Sequence, residues 1–497
     1  MTWADTQGDG TRYYPELDDV ARLLDEQSLY YACLKLAQAT DRLARDLLLL
    51  GPLPSRPHEE PAVLETPFGR IVVGTPGADR FTGAALAIVD PGGADTYDGK
   101  VGASFGPGNP FGIVVDASGN DTYASLADGA QGAGVLGCGL VYDREGDDRY
   151  SGHNGAQGYG LFGLGLLYDR SGNDCLEMQY SGQGCGYFGI GLLLDGGGRD
   201  EYRIWAEGQG QGGIGGGVGV VATRGGDDLY YAEPDAEIAG RADYHSDYKI
   251  TANNVQGSGN GRRGDGADGH SWAGGLGVLI DIGGNDRYES GNWSQGIGYW
   301  FGTGILYDNE GDDVYQSVYF TQASGAHFCN AALIDEAGDD RHELGHNKGA
   351  AIAFGWDYTN ALLIDKGGND YYGGGQSCLG LSTGRSTVIL YDGGGDDEYG
   401  LDEGTAGMGE ASPRDDFFLP SPVSPYMYYS RSVGLLLDTG GRDRYLRTGE
   451  DGVTHADSLA GDGRSWSNPP VESGGLFGGG RDYPDGGIPD FSIWDNR

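Results

Sequence analysis

Residues 116–123 read DASGNDTY, and residues 143–150 repeat the arrangement as DREGDDRY. In each, an aspartate opens the segment, and a glycine, a second aspartate and a tyrosine follow three, five and seven places later. This DxxGxDxY pattern recurs in DPGGADTY from Asp90, DRSGNDCL from Asp169, DGGGRDEY from Asp195 and TRGGDDLY from Thr223. It returns in DIGGNDRY from Asp281, DNEGDDVY from Asp308, DEAGDDRH from Asp335, DKGGNDYY from Asp365, DGGGDDEY from Asp392 and DTGGRDRY from Asp438. Across these twelve segments the glycine and the second aspartate never change, Thr223 replaces the first aspartate once, and only Leu176 and His342 replace the tyrosine. A shorter cousin, GTPGADRF from Gly74, opens the series.

Most segments start 26 or 27 residues apart, the length of one coil of a three-sided parallel β-solenoid. A short apolar stretch such as FGIVV, CGLVY or GVLID precedes each turn, and a polar stretch, often ending in QGxG, follows it. One coil cannot bury its apolar face alone, so coils must stack about 4.8 Å apart into one continuous core. About 12 to 14 coils at that rise predict a rod on the order of 60 Å long. The fold class expected is therefore all-β, a parallel β-solenoid or β-helix over residues 68–446. The steps from Thr223 to Asp281 and from Asp392 to Asp438 are too long, which predicts insertions over 232–272 and 401–431, the first step also holding one extra coil.

The flanks differ. Leu17, Val20, Leu23, Leu24, Leu29, Cys33, Leu36, Leu43, Leu47 and Leu48 recur at helical spacing. Residues 1–50 are expected to form a helical cap over the open N-terminal end, where unpaired strand edges would otherwise face other chains. The Pro-rich stretch after it makes 51–67 a linker, and 447–497 reads as a Gly-rich C-terminal cap or tail in which GGGRDYPDGG is a degenerate final turn.

Composition supports a repeat protein and narrows its partners. Glycine supplies 97 of 497 residues without a collagen period, and 32 basic against 74 acidic side chains give a net charge of -42. Nucleic acid and anionic membranes, which need a positive footprint, are poor partners; metal cations, basic proteins or high-salt surroundings fit better. No apolar run is long enough to span a bilayer. The six cysteines have no common spacing and read as buried small hydrophobes.

Stacking places equivalent aspartates of successive coils in ladders. Asp95, Asp121, Asp148, Asp174, Asp200, Asp228, Asp286, Asp313, Asp340, Asp370, Asp397 and Asp443 form one; Asp90, Asp116, Asp143, Asp169, Asp195, Asp281, Asp308, Asp335, Asp365, Asp392 and Asp438 form the other. With the adjacent Asp147, Asp227, Asp312, Asp339 and Asp396, 28 of the 74 acidic residues share one edge. Like charges about 5 Å apart repel by about 1 kcal/mol in water and several-fold more in protein, so a counter-charge is expected. Multiple calcium ions suit carboxylate and turn-carbonyl oxygens, with the glycine supplying φ > 0 so that carbonyls can face the ion.

Segments such as SGNDTY from Ser118 and GGNDRY from Gly283 resemble the RTX, or haemolysin-type, calcium-binding repeat GGxGxDxUx. The resemblance covers about eight residues of each coil from 74 to 445 and implies calcium held between stacked turns. The RTX repeat runs in tandem with two turns per coil, whereas here the pattern appears once per coil, which implies a wider solenoid with one RTX-like edge.

HELGH, residues 342–346, matches the HExxH zinc-peptidase signature. That signature needs a helix, so that both histidines share a face. Here His342 holds the tyrosine position of the repeat, where a strand is expected, and residues four apart on a strand are about 13 Å apart. Ile352 stands where a third ligand would fall. A zinc peptidase is the remote alternative.

Two other patterns stand out. Gln131, Gln157, Gln183, Gln211, Gln256, Gln295 and Gln322 predict a ladder of stacked amides, and Tyr180, Trp205, Trp293, Tyr319 and Phe320 near it are candidate platforms for sugar rings. The first insertion concentrates Arg241, Tyr244, His245, Tyr248, Lys249, Arg262, Arg263, His270 and Trp272. A solenoid with such a cleft is similar to polysaccharide lyases, in which a cation neutralises a uronate and a basic residue takes the α-proton. On that alternative, His245, Lys249, Arg262, Arg263 and His270 are the catalytic candidates. The leading expectation is a calcium-loaded structural or binding module, its partners metal ions and a polysaccharide or another surface protein. Because MTWADTQGDG does not read as a signal peptide, an extracellular, cell-surface or periplasmic location requires an export signal that has been removed; otherwise the chain is cytoplasmic.

Overall fold

The apolar stretches that precede each turn become strands of one long sheet, and the register of that sheet defines the molecule. In the computed structural model, which describes residues 14–50, 60–264, 268–412, 432–467 and 476–483, Leu164–Asp169 pairs in parallel with Ile190–Asp195, Leu on Ile and Asp169 on Asp195. Asn330–Asp335, Asn360–Asp365, Thr387–Asp392 and Ser432–Asp438 continue the same register. The chain is a parallel β-solenoid. A second sheet follows each turn, with Tyr123 beside Tyr150, and a short third sheet stacks strands such as Gly134–Val135, Gly160–Leu161 and Gly186–Tyr187.

Alternation decides what is inside. In Thr303–Asp308 the inward Gly304, Leu306 and Asp308 are buried and the outward residues only half so. Leucines and valines such as Val141, Leu167, Leu193, Leu279 and Leu333 therefore form one column of the core, facing a column of tyrosines. Neighbouring tyrosine rings stack nearly parallel, for example Tyr230 on Tyr288 at 4.9 Å and Tyr372 on Tyr399 at 5.0 Å. The third face carries no such filling. A Cβ on Gly132 or Gly158 would overlap the carbonyl oxygens of Leu166 or Leu192 in the first sheet. There backbone lies on backbone, which is why QG recurs.

The glutamines of that QG unit turn the corner with positive φ, 49° at Gln131 and 52° at Gln157. Each is held by its side chain: the Gln131 amide donates to the carbonyls of Tyr123 (3.0 Å) and Ser151 (2.9 Å), one in its own coil and one in the next. The predicted ladder is thus present, but it binds coils through main-chain carbonyls, not amide to amide. Gln209 belongs to it, donating to Tyr202 and Tyr231; Gln211 does not, and instead accepts from the Tyr187 hydroxyl at 3.2 Å. The sequence held the signal, since Gln131, Gln157, Gln183 and Gln209 are each 26 residues apart and Gln211 breaks that step.

Four expectations about the flanks and insertions change. Helices α1 (Pro15–Leu23) and α2 (Glu26–Leu50) do not close the end. Leu29, Cys33, Leu36 and Leu47 pack on Val115, Cys138, Leu140, Tyr142 and Leu166 along the side of the first sheet, and the Trp272 indole donates to Asp18 at 2.8 Å. The N-terminal edge is covered by Ala62–Thr66, inside the predicted linker, which runs antiparallel to Gly69–Val73. At the other end the solenoid continues past 446: Leu476–Asp482 lies in parallel register on Ser432–Asp438, and Ser465–Ser467 closes it antiparallel. Finally, Val218–Ala222 pairs directly with Leu276–Ile280, so the long step holds insertions but no extra coil. A parallel stack ends most simply in an antiparallel hairpin that satisfies the last strand's backbone. Most of the second predicted insertion, 413–431, lies outside the described residues, as do 1–13 and 51–59. Of the six cysteines, all are free thiols and five are buried, as expected of small hydrophobes.

Candidate metal ladder

Each DxxGxDxY turn builds the same constellation. In the turn at 116–123, Asp116 Oδ1 accepts the Ser118 N–H at 2.9 Å, an Asx turn that sets the bend, and its Oδ2 accepts the Tyr97 hydroxyl of the preceding coil. Asp121 Oδ1 accepts the N–H of Asp95 at 2.6 Å, while the Asp121 N–H donates to Asp148 Oδ1 at 2.6 Å. That bond repeats from coil to coil through Asp174, Asp200, Asp228, Asp286, Asp313, Asp340, Asp370 and Asp397 to Asp443. The second-position aspartates are thus a main-chain-to-carboxylate ladder up the inside of the rod.

One oxygen of each is left over. Oδ2 of Asp95, Asp121, Asp148, Asp174, Asp200, Asp228, Asp286, Asp313, Asp340, Asp370, Asp397 and Asp443 is buried without a hydrogen-bond partner. These oxygens sit beside the first-position aspartates. The carboxylates of Asp95, Asp116 and Asp121, of Asp121, Asp143 and Asp148, of Asp148, Asp169 and Asp174, and of Asp174, Asp195 and Asp200 each converge to within 4.8 Å. Buried carboxylates so close cannot all stay charged unaided. Burial, then the repulsion of Asp169, pushes Asp148 up to about 8, and burial with the same neighbour pushes Asp174 up to about 10. Asp95, at the less enclosed end, rises only to about 6.

The structure brings both predicted ladders together and separates the adjacent aspartates from them. Asp147, Asp227, Asp312, Asp339 and Asp396 point outward and form an exposed ladder with Asn173, Asn285 and Asn369; Asp147 Oδ1 accepts the Asn173 N–H at 2.9 Å, and Asn285 Oδ1 accepts that of Asp312 at 2.8 Å. The acidic edge is therefore two rows inside and one outside. The variability of the position before the invariant second aspartate, with Asn120, Asp147, Asn173 and Arg199 in successive coils, was the available signal. The invariant glycine is also needed for a different reason. Gly119, Gly146, Gly198, Gly368 and Gly395 do not have left-handed φ, yet a Cβ on any of them would overlap the carbonyl oxygen of the equivalent glycine one coil earlier. At these five tight stacking alone excludes side chains, whereas at Gly226, Gly284, Gly311 and Gly441 the expected positive φ is present as well.

The tyrosine column closes the first-position aspartates. Tyr123 donates to Asp143 (2.6 Å), Tyr150 to Asp169 (2.7 Å) and Tyr315 to Asp335 (2.6 Å), all one coil on. Tyr202, Tyr372, Tyr399 and Tyr445 donate within their own coil, to Asp195, Asp365, Asp392 and Asp438. The direction reverses at Tyr202, just after Leu176, returns to one coil on at Tyr230 and Tyr288, which donate to Asp281 and Asp308, and reverses again after His342; Leu176 and His342 are the two positions without a tyrosine. Phe81 stands at the start of the column, stacked on Tyr97 at 4.9 Å, and Asp90 Oδ2 is accordingly unpartnered. Phe81→Tyr should supply the missing donor and raise stability by about 1 kcal/mol, measured by urea denaturation.

HELGH lies in the strand Arg341–Ala351, not on a helix. His342 is fully buried between Tyr315 (4.7 Å) and Tyr372 (4.9 Å), with Nδ1 3.2 Å from Gln322 Oε1. It is a member of the tyrosine column; the side chain of His346 lies outside the described residues.

The five catalytic candidates do not converge. Arg262 is buried in a two-pronged ion pair with Asp268 at 2.9 and 2.7 Å, and also donates to the His270 carbonyl. Arg263 reaches His327 Nε2 at 2.7 Å. His270 and Lys249 are exposed. His245, held by Asp243 at 2.8 Å, faces a cavity with Tyr244, Tyr248, Trp293 and Tyr299.

No protein-family model, curated protein or solved structure matches this chain.

Proposed function

We propose that the chain is a solenoid loaded with divalent cations, calcium by the chemistry of its donors, that serves as a rigid structural and binding module outside the cytoplasm. The observation that carries this reading is the row of buried second-position Oδ2 atoms without partners. All the converging donors are carboxylate oxygens, with no sulfur or imidazole in the clusters along Asp79 to Asp200, and hard cations prefer such sets. Charge agrees as well. A turn with two aspartates brings two negative charges, and one divalent ion per turn neutralises them. Asp121, Asp143 and Asp148 would hold one such ion, with Asp148 shared with the next. Calcium at extracellular levels saturates even weak oxygen sites, whereas the low cytosolic level would not. The RTX-like turn is consistent with this reading.

Protons are the rival occupants, since an acid and a carboxylate can share one. The test is metal analysis by plasma mass spectrometry after dialysis at pH 7.5 against micromolar-excess calcium, with infrared spectra of the same samples. About one calcium per turn, and no band from protonated carboxyl groups, is the expected result. Less than one ion per chain with a strong protonated-carboxyl band would replace the metal ladder by a proton-sharing one.

A further inference from the structure

Outside the aspartate ladder, three cavities lie end to end along the rod. The first, of about 360 Å³, and the second, of about 120 Å³, share Glu207 and Arg241; the second and the third, of about 400 Å³, share His245. The insertion after Ala232 lines both of the first two cavities through Arg241, which is paired to Glu207 of the solenoid with both side chains buried.

Each cavity is lined by aromatic side chains and by a polar residue that carries a buried side-chain atom without a partner. Phe105, Tyr159 and Tyr180 line the first, beside Asn154 Oδ1. Trp293 and Tyr248 line the second, beside both amide atoms of Asn260. Phe354 and Trp356 line the third, beside Thr383 Oγ1. An unmet buried donor or acceptor costs about 1–3 kcal/mol, so three such sites in line call for a ligand that brings hydroxyl groups and flat apolar faces together.

Charge narrows the class. The ionisable groups lining the first two cavities are largely paired with each other, Arg241 with Glu207, His245 with Asp243 and His153 with Asp128, and the chain as a whole carries -42. A polyanion would be repelled and a cationic peptide would find few free carboxylates there. We infer that this groove binds an extended neutral polysaccharide, its chain parallel to the rod axis, with sugar rings on the aromatic faces and hydroxyls on Asn154, Asn260 and Thr383. The inference stands independently of the metal ladder, because none of these residues belongs to it.

The experiment is affinity gel electrophoresis of the calcium-saturated protein in gels containing xyloglucan, galactomannan, mixed-linkage β-glucan or, as polyanion, polygalacturonate. Retarded migration in at least one neutral gel is expected. Thr383→Val and Asn260→Leu remove hydrogen-bonding atoms with little change of shape; each should weaken retardation about three- to tenfold while leaving thermal stability unchanged or raised. That combination separates binding from a structural role, since a group that served the fold would lower stability when removed. Migration unaltered in every neutral gel, retardation by polygalacturonate alone, or wild-type affinity in both variants would overturn the proposal.

Discussion

In chelator, the thermal midpoint should fall by more than about 10 °C between pH 5 and pH 8, and saturating calcium should remove most of that fall. The sign follows from the ladder. Burial and mutual repulsion raise Asp148 and Asp397 to about 8, and Asp174 and Asp286 to about 10, from an ordinary 3.8. Without metal, the folded chain therefore holds more protons than the unfolded chain above about pH 4. Stability is fully present below the unfolded value and is lost as pH rises through the folded ones. Each tenfold difference in proton affinity is worth about 1.4 kcal/mol, and a domain's whole stability is about 5–15 kcal/mol. A few bare carboxylates in this row would consume it. Calcium reverses the balance because it binds the deprotonated oxygens, so its protection should be small at pH 5 and largest at pH 8. Differential scanning fluorimetry across pH, with and without calcium, reads both curves. A midpoint in chelator that is flat or rises with pH would mean that the aspartates ionise freely, and would remove the basis for the ladder's need of a counter-charge.

Gly198→Ala should destabilise the chain by about 4 kcal/mol or more, or prevent folding. The added methyl would overlap the Gly172 carbonyl oxygen and its carbon, and the backbone on both sides is pinned, Asp174 N–H to Asp200 Oδ1 at 2.7 Å and Asp200 N–H to Asp228 Oδ1 at 2.8 Å. To admit the methyl, two coils must part and at least one ladder bond must break. Gly108→Ala is the control: it has open space at its Cβ and no left-handed φ, and should change stability by less than about 0.5 kcal/mol. Guanidinium unfolding of both variants measures the difference. Equal effects would show that the turn glycines matter for chain flexibility and not for stacking distance.

Periodicity alone established the solenoid. A turn motif repeated at 26 or 27 residues, with an apolar strand before it, permits little else, because strands repeated at one coil's length must lie on one another. The same repetition named both rows of buried aspartates and put His342 in the tyrosine column, since a ladder needs only equivalent positions. Composition could not reveal which oxygen of each carboxylate is used. That depends on the coil-to-coil bond from one aspartate's N–H to the next aspartate's Oδ1, and it is this bond that leaves Oδ2 alone. The constant step of 26 residues from Gln131 to Gln209 did mark Gln209 and not Gln211 for the ladder, although both are buried; spacing could not show that Asp147 and its equivalents face solvent, or that α2 lies along the side instead of over the end. The groove was beyond sequence for the same reason. Asn154, Asn260 and Thr383 are separated by more than a hundred residues and carry no common motif; only the stacking of coils, which converts sequence distance into position along one axis, brings their cavities into line.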